Sequence, residues 1–138
     1  MRDYRHVLLA TDFSPHSEAA AQRALDLARR YGAHLSLIHV IEELTAQLRG
    51  AESSAFLTNR AQEALTRFAE RLGLQEARML VEWGSPRTEI LRVAQEQQMD
   101  LIVLGSHGQR GHALLLGSTA NAVLHSAPCD VLAVRAVP

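Results

Sequence analysis

The sequence contains no lysine, because all 14 of its basic residues are arginine. A Walker A site places a lysine on the β- and γ-phosphates, and kinase-type phosphoryl transfer uses a strand lysine. Schiff-base and pyridoxal phosphate chemistry need a lysine amine. The absence of lysine therefore excludes these kinds of site.

Cysteine, long apolar runs and excess charge are also lacking. Cys129 is the single cysteine, so no internal disulfide can form, and the cytoplasm is the expected compartment. No apolar run reaches about 18 residues, the length of a membrane span, and the run at residues 7–10 is too short for a signal peptide. The net charge of −1 predicts neither a nucleic-acid partner nor a membrane partner.

Five short apolar runs are present, and helical patterns separate them. One domain over residues 1–138 is expected, because the chain has 138 residues of which 47% are hydrophobic. The predicted strands are residues 7–10, 35–40, 79–82, 101–105 and 131–134. The first, fourth and fifth are nearly continuous in apolar residues, which is typical of a parallel sheet buried on both faces.

Four helices are predicted from their terminal residues and their apolar spacing. Serines open three of them, of which Ser14 and Ser118 are expected to cap their helices, and glycines end two. The predicted termini in chain order are Ser14-Pro15, Gly32, Gly73, Ser85-Pro86 and Ser118. Strands alternating with helices predict a three-layer α/β sandwich. Residues 41–56 are the least decided stretch and are expected to form a loop with a helical turn that covers the site.

Ligands of open parallel sheets bind beyond the carboxyl ends of the strands, where the strand order reverses. The segment after the fourth predicted strand is rich in glycine and leads into a helix start. Glycine lets backbone N–H groups approach phosphate oxygens, and a helix N-terminus adds unpaired N–H groups and a positive dipole. Ser118, Thr119 and Arg110 would add side-chain donors. The spacing is not the dinucleotide pattern Gly-x-Gly-x-x-Gly, so a plain strand–helix loop is an equal alternative.

Asp12 follows the first predicted strand at the start of a helix. In one interpretation its carboxylate caps the helix or complements the helix dipole. In the other it accepts hydrogen bonds from ribose hydroxyls, as an acidic residue does in Rossmann-like sites.

These motifs together resemble the universal stress protein family over nearly the whole chain. The residues that carry the resemblance are HVLLATDFS at 6–14, LSLIHV at 35–40, DLIVLGSHG at 100–108, LLGS at 115–118 and CDVLAV at 129–134. The resemblance implies a five-stranded parallel sheet of order 3-2-1-4-5. In that order the first and fourth strands are neighbours, and Asp12 and Gly105 lie on two sides of one crevice.

The nucleotide-binding branch of this family carries the motif Gly-x2-Gly-x9-Gly-Ser/Thr, which holds ATP. The resemblance implies that the motif glycines and Ser118 bind ribose and phosphates, that Asp12 binds the ribose, and that the Val40 backbone meets the adenine. Only eight residues separate Gly108 from Gly117, so AMP or ADP is expected to bind as well as ATP. The nucleotide-binding residues expected overall are Ala10, Thr11, Asp12, Val40, Gly105, His107, Gly108, Arg110, Gly117, Ser118 and Thr119.

The predicted function is that of an adenine-nucleotide-binding stress-response or regulatory protein. The alternatives are a slow ATP-hydrolysing enzyme and an interaction module without bound nucleotide. No nucleophile–base pair or Gly-x-Ser-x-Gly elbow is evident, and no tight Cys and His cluster suggests zinc. No catalytic or metal-binding residue is therefore predicted, although Mg²⁺ held mainly by the phosphates is compatible with bound ATP.

A homodimer is expected through residues 129–135. The family commonly dimerises by pairing its fifth strands. The segment here has an apolar centre without lysine or proline, and such an edge would favour aggregation if it were left bare. Pairing with a two-fold mate would satisfy that edge in a closed, symmetric way.

Overall fold

The computed structural model describes residues 3–42, 53–107 and 117–136. In these ranges strands and helices alternate along the chain. Their bounds are β1 His6–Ala10, α1 Pro15–Tyr31, β2 His34–Ile41, α2 Ser54–Leu72, β3 Arg78–Trp83, α3 Pro86–Glu96, β4 Leu101–Gly105, α4 Ser118–Ser126 and β5 Asp130–Val134. Each predicted strand is present, and none is more than one residue longer at either end.

The strands form one all-parallel sheet of order β3-β2-β1-β4-β5, which confirms the predicted fold class and strand order. At the centre of the sheet, Leu9 of β1 pairs with Leu37 on one side and with Val103 on the other. The order reverses between β1 and β4, so these two strands form the topological switch point.

The helices cover both faces of the sheet, and the alternation of side chains along each strand divides the core in two. Leu9 and Val103 point to the face covered by α1 and α2, where Phe68 of α2 joins them. Leu8 and Ile102 point to the face covered by α3 and α4. These four strand side chains have no exposed surface, as expected for a sheet buried on both faces. In the described ranges no helix is long and apolar enough to cross a membrane.

Glycines end α1 and α2 as predicted. Gly32 and Gly73 adopt left-handed backbone conformations, with φ of 64° and 78°, which glycine adopts without a steric cost. The start of α2 lies in the segment left open by the sequence. Ser53 is its N-cap, and the Ser53 hydroxyl accepts a hydrogen bond from the Phe56 N–H at 3.1 Å. The remainder of that segment, residues 43–52, lies outside the described residues.

Two predictions about serine caps are wrong. Ser14 occupies the N-cap position of α1, but its hydroxyl makes no capping bond. The Ser17 N–H, which a capping hydroxyl would accept, donates to the Ser14 backbone carbonyl at 3.0 Å instead. The N-cap of α4 is Gly117, and Ser118 is the first residue of that helix. The amide of Gly117 is held by the chain that leaves β4, and this contact sets the helix start one residue earlier than predicted.

Candidate functional site

The site lies at the carboxyl edge of the sheet, where β1 and β4 end side by side. Residues 11–14, called the β1 turn below, link β1 to α1. A Cβ atom at Gly105, the last residue of β4, would lie 3.1 Å from the His16 carbonyl oxygen in the first turn of α1. The absence of a side chain at Gly105 therefore lets the end of β4 approach the start of α1, beside the β1 turn.

Every backbone N–H of the β1 turn donates a hydrogen bond within the protein. The acceptors, from residue 11 to residue 14, are the Ile38 carbonyl oxygen at 3.0 Å, the Ser17 Oγ at 3.2 Å, the Thr11 Oγ1 at 3.0 Å and the Asp12 Oδ1 at 3.0 Å. The turn therefore has no backbone donor left for a phosphate, and a ligand meets carboxylate and carbonyl acceptors there.

Ser17 orients the Asp12 carboxylate. The Ser17 hydroxyl donates to Asp12 Oδ1 at 2.7 Å and accepts from the Asp12 N–H at 3.2 Å, and Ser17 is buried. Asp12 Oδ1 also accepts the N–H of Ser14, the N-cap residue of α1, so the carboxylate holds the residue that precedes the helix. The sequence analysis missed Ser17, for which the only signal was a hydroxyl five residues after the acid, one turn into a predicted helix.

His39 and Phe13 are a second pair that the sequence analysis missed. The His39 Nδ1 lies 2.9 Å from the Thr11 carbonyl oxygen, and the Phe13 ring stacks on the His39 ring with centroids 4.2 Å apart. Phe13 has a φ of 66°, which is uncommon for a bulky residue and marks a turn held by its surroundings. Phe68 also packs edge-on against Phe13 at 6.0 Å.

The start of α4 offers hydrogen-bond donors, whereas the β1 turn offers acceptors. The Gly117 N–H donates to the Ser106 carbonyl oxygen at 2.6 Å, so this amide is not available to a phosphate. The next amides, those of the first turn, have no acceptor within the helix. Of the four described helices, α4 is the one that has neither a side-chain capping bond nor an acidic residue in its first turn; the others have Glu18, Glu89 or the Ser53 cap.

Three buried polar atoms near this edge have no hydrogen-bond partner among the described parts of the protein. They are Ser14 Oγ, His16 Nδ1 and His107 Nε2. The His107 ring lies 5.9 Å from the His16 ring, and the His107 Nδ1 lies 3.0 Å from the Ser106 hydroxyl. Buried polar atoms normally have a partner, so each of these three atoms is expected to meet one outside the described residues.

The Val40 backbone faces the same crevice. The Ile38 carbonyl points toward β1, where it accepts the Thr11 N–H, and alternate residues of a strand point the same way. The N–H and C=O of Val40 therefore also point toward β1. Since the last pair between β1 and β2 is Ala10 with Ile38, these groups lie beyond the end of the β1 ladder.

The predicted site residues are thus distributed over three places. Ala10, Thr11 and Asp12 lie at the end of β1 and in its turn, and Val40 lies at the end of β2. The others with described positions lie at the end of β4 or the start of α4, namely Gly105, His107, Gly117, Ser118 and Thr119. Gly108 and Arg110 lie outside the described residues. No group of three or more His, Cys, Asp or Glu in the described ranges is arranged to hold a metal ion.

A doubly wound parallel sheet with polar groups at its switch point defines the class of Rossmann-like α/β domains that bind ligands at the carboxyl edge. The sequence profile of the universal stress protein family matches residues 3–135. The chain belongs to that family.

Relatives of known family support this assignment over nearly the full length. The chain is 37% identical over 142 residues to universal stress protein A homolog 2 of Coxiella burnetii, covering 98% of this chain and 97% of that protein. Homolog 1 of the same organism is 37% identical over 138 residues, covering 95% and 96%.

Solved structures share the fold. The universal stress protein UspA of Lactobacillus plantarum superposes with a TM-score of 0.76 at 27% identity, covering 98% of this chain and 100% of that one. A universal stress protein crystallised in complex with cAMP superposes with a TM-score of 0.73 at 24% identity, covering 99% and 100%.

The close contact at Gly105 predicts that Gly105→Ala destabilises the protein by about 1–3 kcal/mol, the usual cost of forcing extra atoms into a packed site. The nearest atoms to the new Cβ are backbone carbonyls, which cannot rotate away as a flexible side chain can. Urea unfolding measures the change, with Ala133→Ser on the adjacent strand as a control that adds one atom where a side chain already exists. Equal stability of the Gly105 variant and wild type would contradict the contact.

The environment of His39 predicts a pH dependence of stability. Burial lowers the pKa of the His39 imidazole below its ordinary value of 6.5, although the bond to Thr11 and the carboxylates of Asp12 and Glu42 act in the opposite direction. As the pH falls below 6.5, the unfolded chain therefore takes up this proton before the folded chain does, and the free energy of unfolding decreases. Well above pH 6.5 the imidazole is neutral in both the folded and the unfolded chain, so this group causes no loss of stability there.

His39→Asn should reduce the loss of stability between about pH 7 and about pH 5, because it removes one group that protonates preferentially in the unfolded state. Urea titrations at a series of pH values measure this slope. His125→Asn, at an exposed position on α4, controls for the loss of a histidine as such. A slope equal to that of wild type in the His39 variant would refute the assignment.

Proposed function

We propose that this protein, as a single domain over residues 1–138, binds an adenine nucleotide (AMP, ADP or ATP) in a stress-response or regulatory role. The observation that carries the proposal is the opposite character of the two sides of the crevice. The β1 turn presents acceptors, since its own N–H groups are all engaged. The start of α4 presents first-turn donors with no acidic side chain to compensate them.

A ribose phosphate has the matching chemistry. Ribose hydroxyls donate to a carboxylate such as Asp12, and phosphate oxygens accept from the N–H groups of a helix start. Ser118 and Thr119, the first two residues of α4, would add hydroxyl donors beside those amides. A ligand in the reverse orientation would place phosphate against the Asp12 carboxylate, which like charge disfavours.

The adenine would lie against β2. The backbone N–H and C=O of Val40 point toward β1 beyond the end of its ladder, so they can pair with the edge of a base. Ala10, which is buried, would form part of the apolar floor. His107 would border the ligand with its unpartnered Nε2, and Gly105, Gly108, Arg110 and Gly117 complete the proposed set.

The family supports a ligand of this class, because one member with the same fold is a complex with cAMP. Mg²⁺ would accompany ATP through the phosphate oxygens, since this ion keeps most of its water and needs few protein ligands. Asp12 is the described carboxylate at the crevice that would face such an ion or its water.

A ligand present at 100 times its dissociation constant should stabilise the wild type by about 2.7 kcal/mol. Asp12→Ala should weaken binding by about tenfold or more, the usual cost of losing hydrogen bonds to a charged acceptor. Thermal-shift titrations with AMP, ADP and ATP, followed by calorimetry, measure both effects. Asp26→Ala, an exposed acid on α1, is the matched control and should bind like wild type.

A flat titration with all three nucleotides at millimolar concentration would refute the proposed function. Absorbance at 260 nm released from the purified protein by denaturation gives an independent check, because a nucleotide bound during expression would remain with the protein.

We also propose that the protein forms a homodimer through residues 129–135. β5 is an edge strand of the sheet, and Val131, Leu132 and Ala133 remain partly exposed along it. An apolar edge of this kind is a template for strand pairing, and two-fold pairing closes it without leaving a further edge.

Leu132 is the central residue of β5, so two-fold pairing would bring two copies of it close together. Leu132→Arg should dissociate the dimer, because it places like charges side by side across the strands. Light scattering after size-exclusion chromatography measures the mass, and circular dichroism checks the fold. Leu124→Arg on the exposed side of α4 is the control; a monomeric wild type at about 100 µM would contradict the dimer.

A further inference from the structure

We infer that His39 is a positioning residue that holds the ribose-binding acid at a set distance from the adenine-binding strand and so makes the site selective for nucleotides with ribose hydroxyls. This inference rests on the proposed function. It concerns a side chain that the ligand itself need not touch.

His39 holds both residues that flank Asp12. On one side its Nδ1 lies 2.9 Å from the Thr11 carbonyl oxygen. On the other side its ring stacks on Phe13 at 4.2 Å with an angle of 27° between the ring planes. Asp12 is the residue between these two contacts, so one imidazole restrains the backbone before and after the proposed ribose acceptor.

The left-handed conformation of Phe13 shows what this restraint does. A φ of 66° is unfavourable for a residue with a large side chain, and such a conformation persists where the surroundings over-determine it. Here the surroundings are the His39 ring on one side and Phe68 on the other. Relaxation of Phe13 to a negative φ would turn the peptide that links it to Asp12.

His39 also connects this turn to the adenine end of the site. It is the residue immediately before Val40, in the part of β2 whose register is set by the pairs of His39 with Val81 and of Val40 with Glu82 on β3. A short bond from His39 to Thr11 therefore fixes the β1 turn relative to the Val40 backbone. Together with the bond from the Thr11 N–H to the Ile38 carbonyl oxygen, this side-chain contact joins the proposed binding places of the base and the ribose.

Ser17 has a different and complementary role. Its hydroxyl bonds to the Asp12 carboxylate and the Asp12 N–H, so it sets the side chain of Asp12 relative to its own backbone. The position of the acid relative to β2, where Val40 lies, is set by the bond from the Thr11 N–H to the Ile38 carbonyl oxygen and by His39, which contacts the residues on both sides of Asp12.

The bond requires a proton on the His39 Nδ1, because a carbonyl oxygen only accepts. This sets the substitutions that test the inference. His39→Asn keeps an N–H donor close to the Nδ1 position, whereas His39→Phe keeps a ring for stacking on Phe13 and removes the donor. The two variants separate the hydrogen bond from the packing.

The experiment measures the affinities of AMP and of 2′,3′-dideoxy-AMP by calorimetry for wild type and both variants. The dideoxy compound cannot use Asp12, so its binding should be insensitive to the position of that acid. We expect His39→Phe to weaken AMP by about tenfold, a typical loss for a displaced charged hydrogen bond, and to leave the dideoxy compound within about twofold. His39→Asn should bind AMP within about threefold of wild type.

If His39→Phe lowers the affinities for AMP and for the dideoxy compound by the same factor, or lowers neither, the preference for AMP is unchanged and the inference is overturned. If wild type binds neither ligand, the proposed function fails and the inference fails with it. If wild type binds both equally, Asp12 does not read the ribose, and the inference is refuted while nucleotide binding stands.

A measurement on the wild type covers the case in which the variants do not fold. In ¹⁵N-labelled protein the His39 ring should be the Nδ1–H tautomer, and its Nδ1 resonance should shift on addition of AMP and shift less with the dideoxy compound. The other tautomer, or equal shifts with the two ligands, would overturn the inference.

Discussion

The parallel pairing of β1 with β4 is the contact on which the rest of the site depends. The pairs run from Val7 with Leu101 to Leu9 with Val103, and burial of these strand side chains on both faces leaves little freedom in their register. Because parallel strands end at the same edge, this pairing brings the β1 turn beside the start of α4, although about a hundred residues of chain separate them. Without it, the acceptor side and the donor side of the crevice would not meet.

The two sides differ because the protein satisfies its backbone groups differently at each. In the β1 turn the side chains of Thr11, Asp12 and Ser17 accept hydrogen bonds from the backbone N–H groups of residues 12–14, and the Ser17 hydroxyl also donates to Asp12. At the start of α4 the N-cap is a glycine with no side chain to offer, so the first-turn amides lack a side-chain acceptor. The lack of both a side-chain capping bond and an acidic residue in the first turn gives that helix start its donor character.

Membership of the universal stress protein family and the geometry of the crevice are separate arguments. The family profile and the relatives support the architecture. The hydrogen bonds of the β1 turn show that acceptors lie on that side of the crevice, and the uncapped start of α4 shows that donors lie on the other side. His39 adds a link between the β1 turn and β2 that neither motif nor family resemblance indicates.

Local and periodic features of the sequence by themselves determined much of this protein. The five apolar runs predicted the strands, Gly32 and Gly73 predicted helix ends, and the position of Asp12 after the first strand predicted an acid at the carboxyl edge of the sheet. These predictions succeed because hydrophobic periodicity and glycine conformations act over a few neighbouring residues. The strand order came from the resemblance, since apolar runs do not state which strand pairs with which.

Only the tertiary structure decided how the site residues are held. His39 and Thr11 are 28 residues apart, and no spacing rule joins them, because their contact depends on the register of β1 against β2. The stacking of Phe13 and the contact between Gly105 and His16 are of the same kind. Capping of α1 and α4 was mispredicted, since the Ser17 N–H donates to the Ser14 backbone carbonyl and the Gly117 N–H donates to the carbonyl of Ser106, which lies beyond the end of β4. Hydrogen bonds between distant segments form only where packing has already brought those segments together. Local patterns in the sequence do not state which distant segments will be neighbours in the fold.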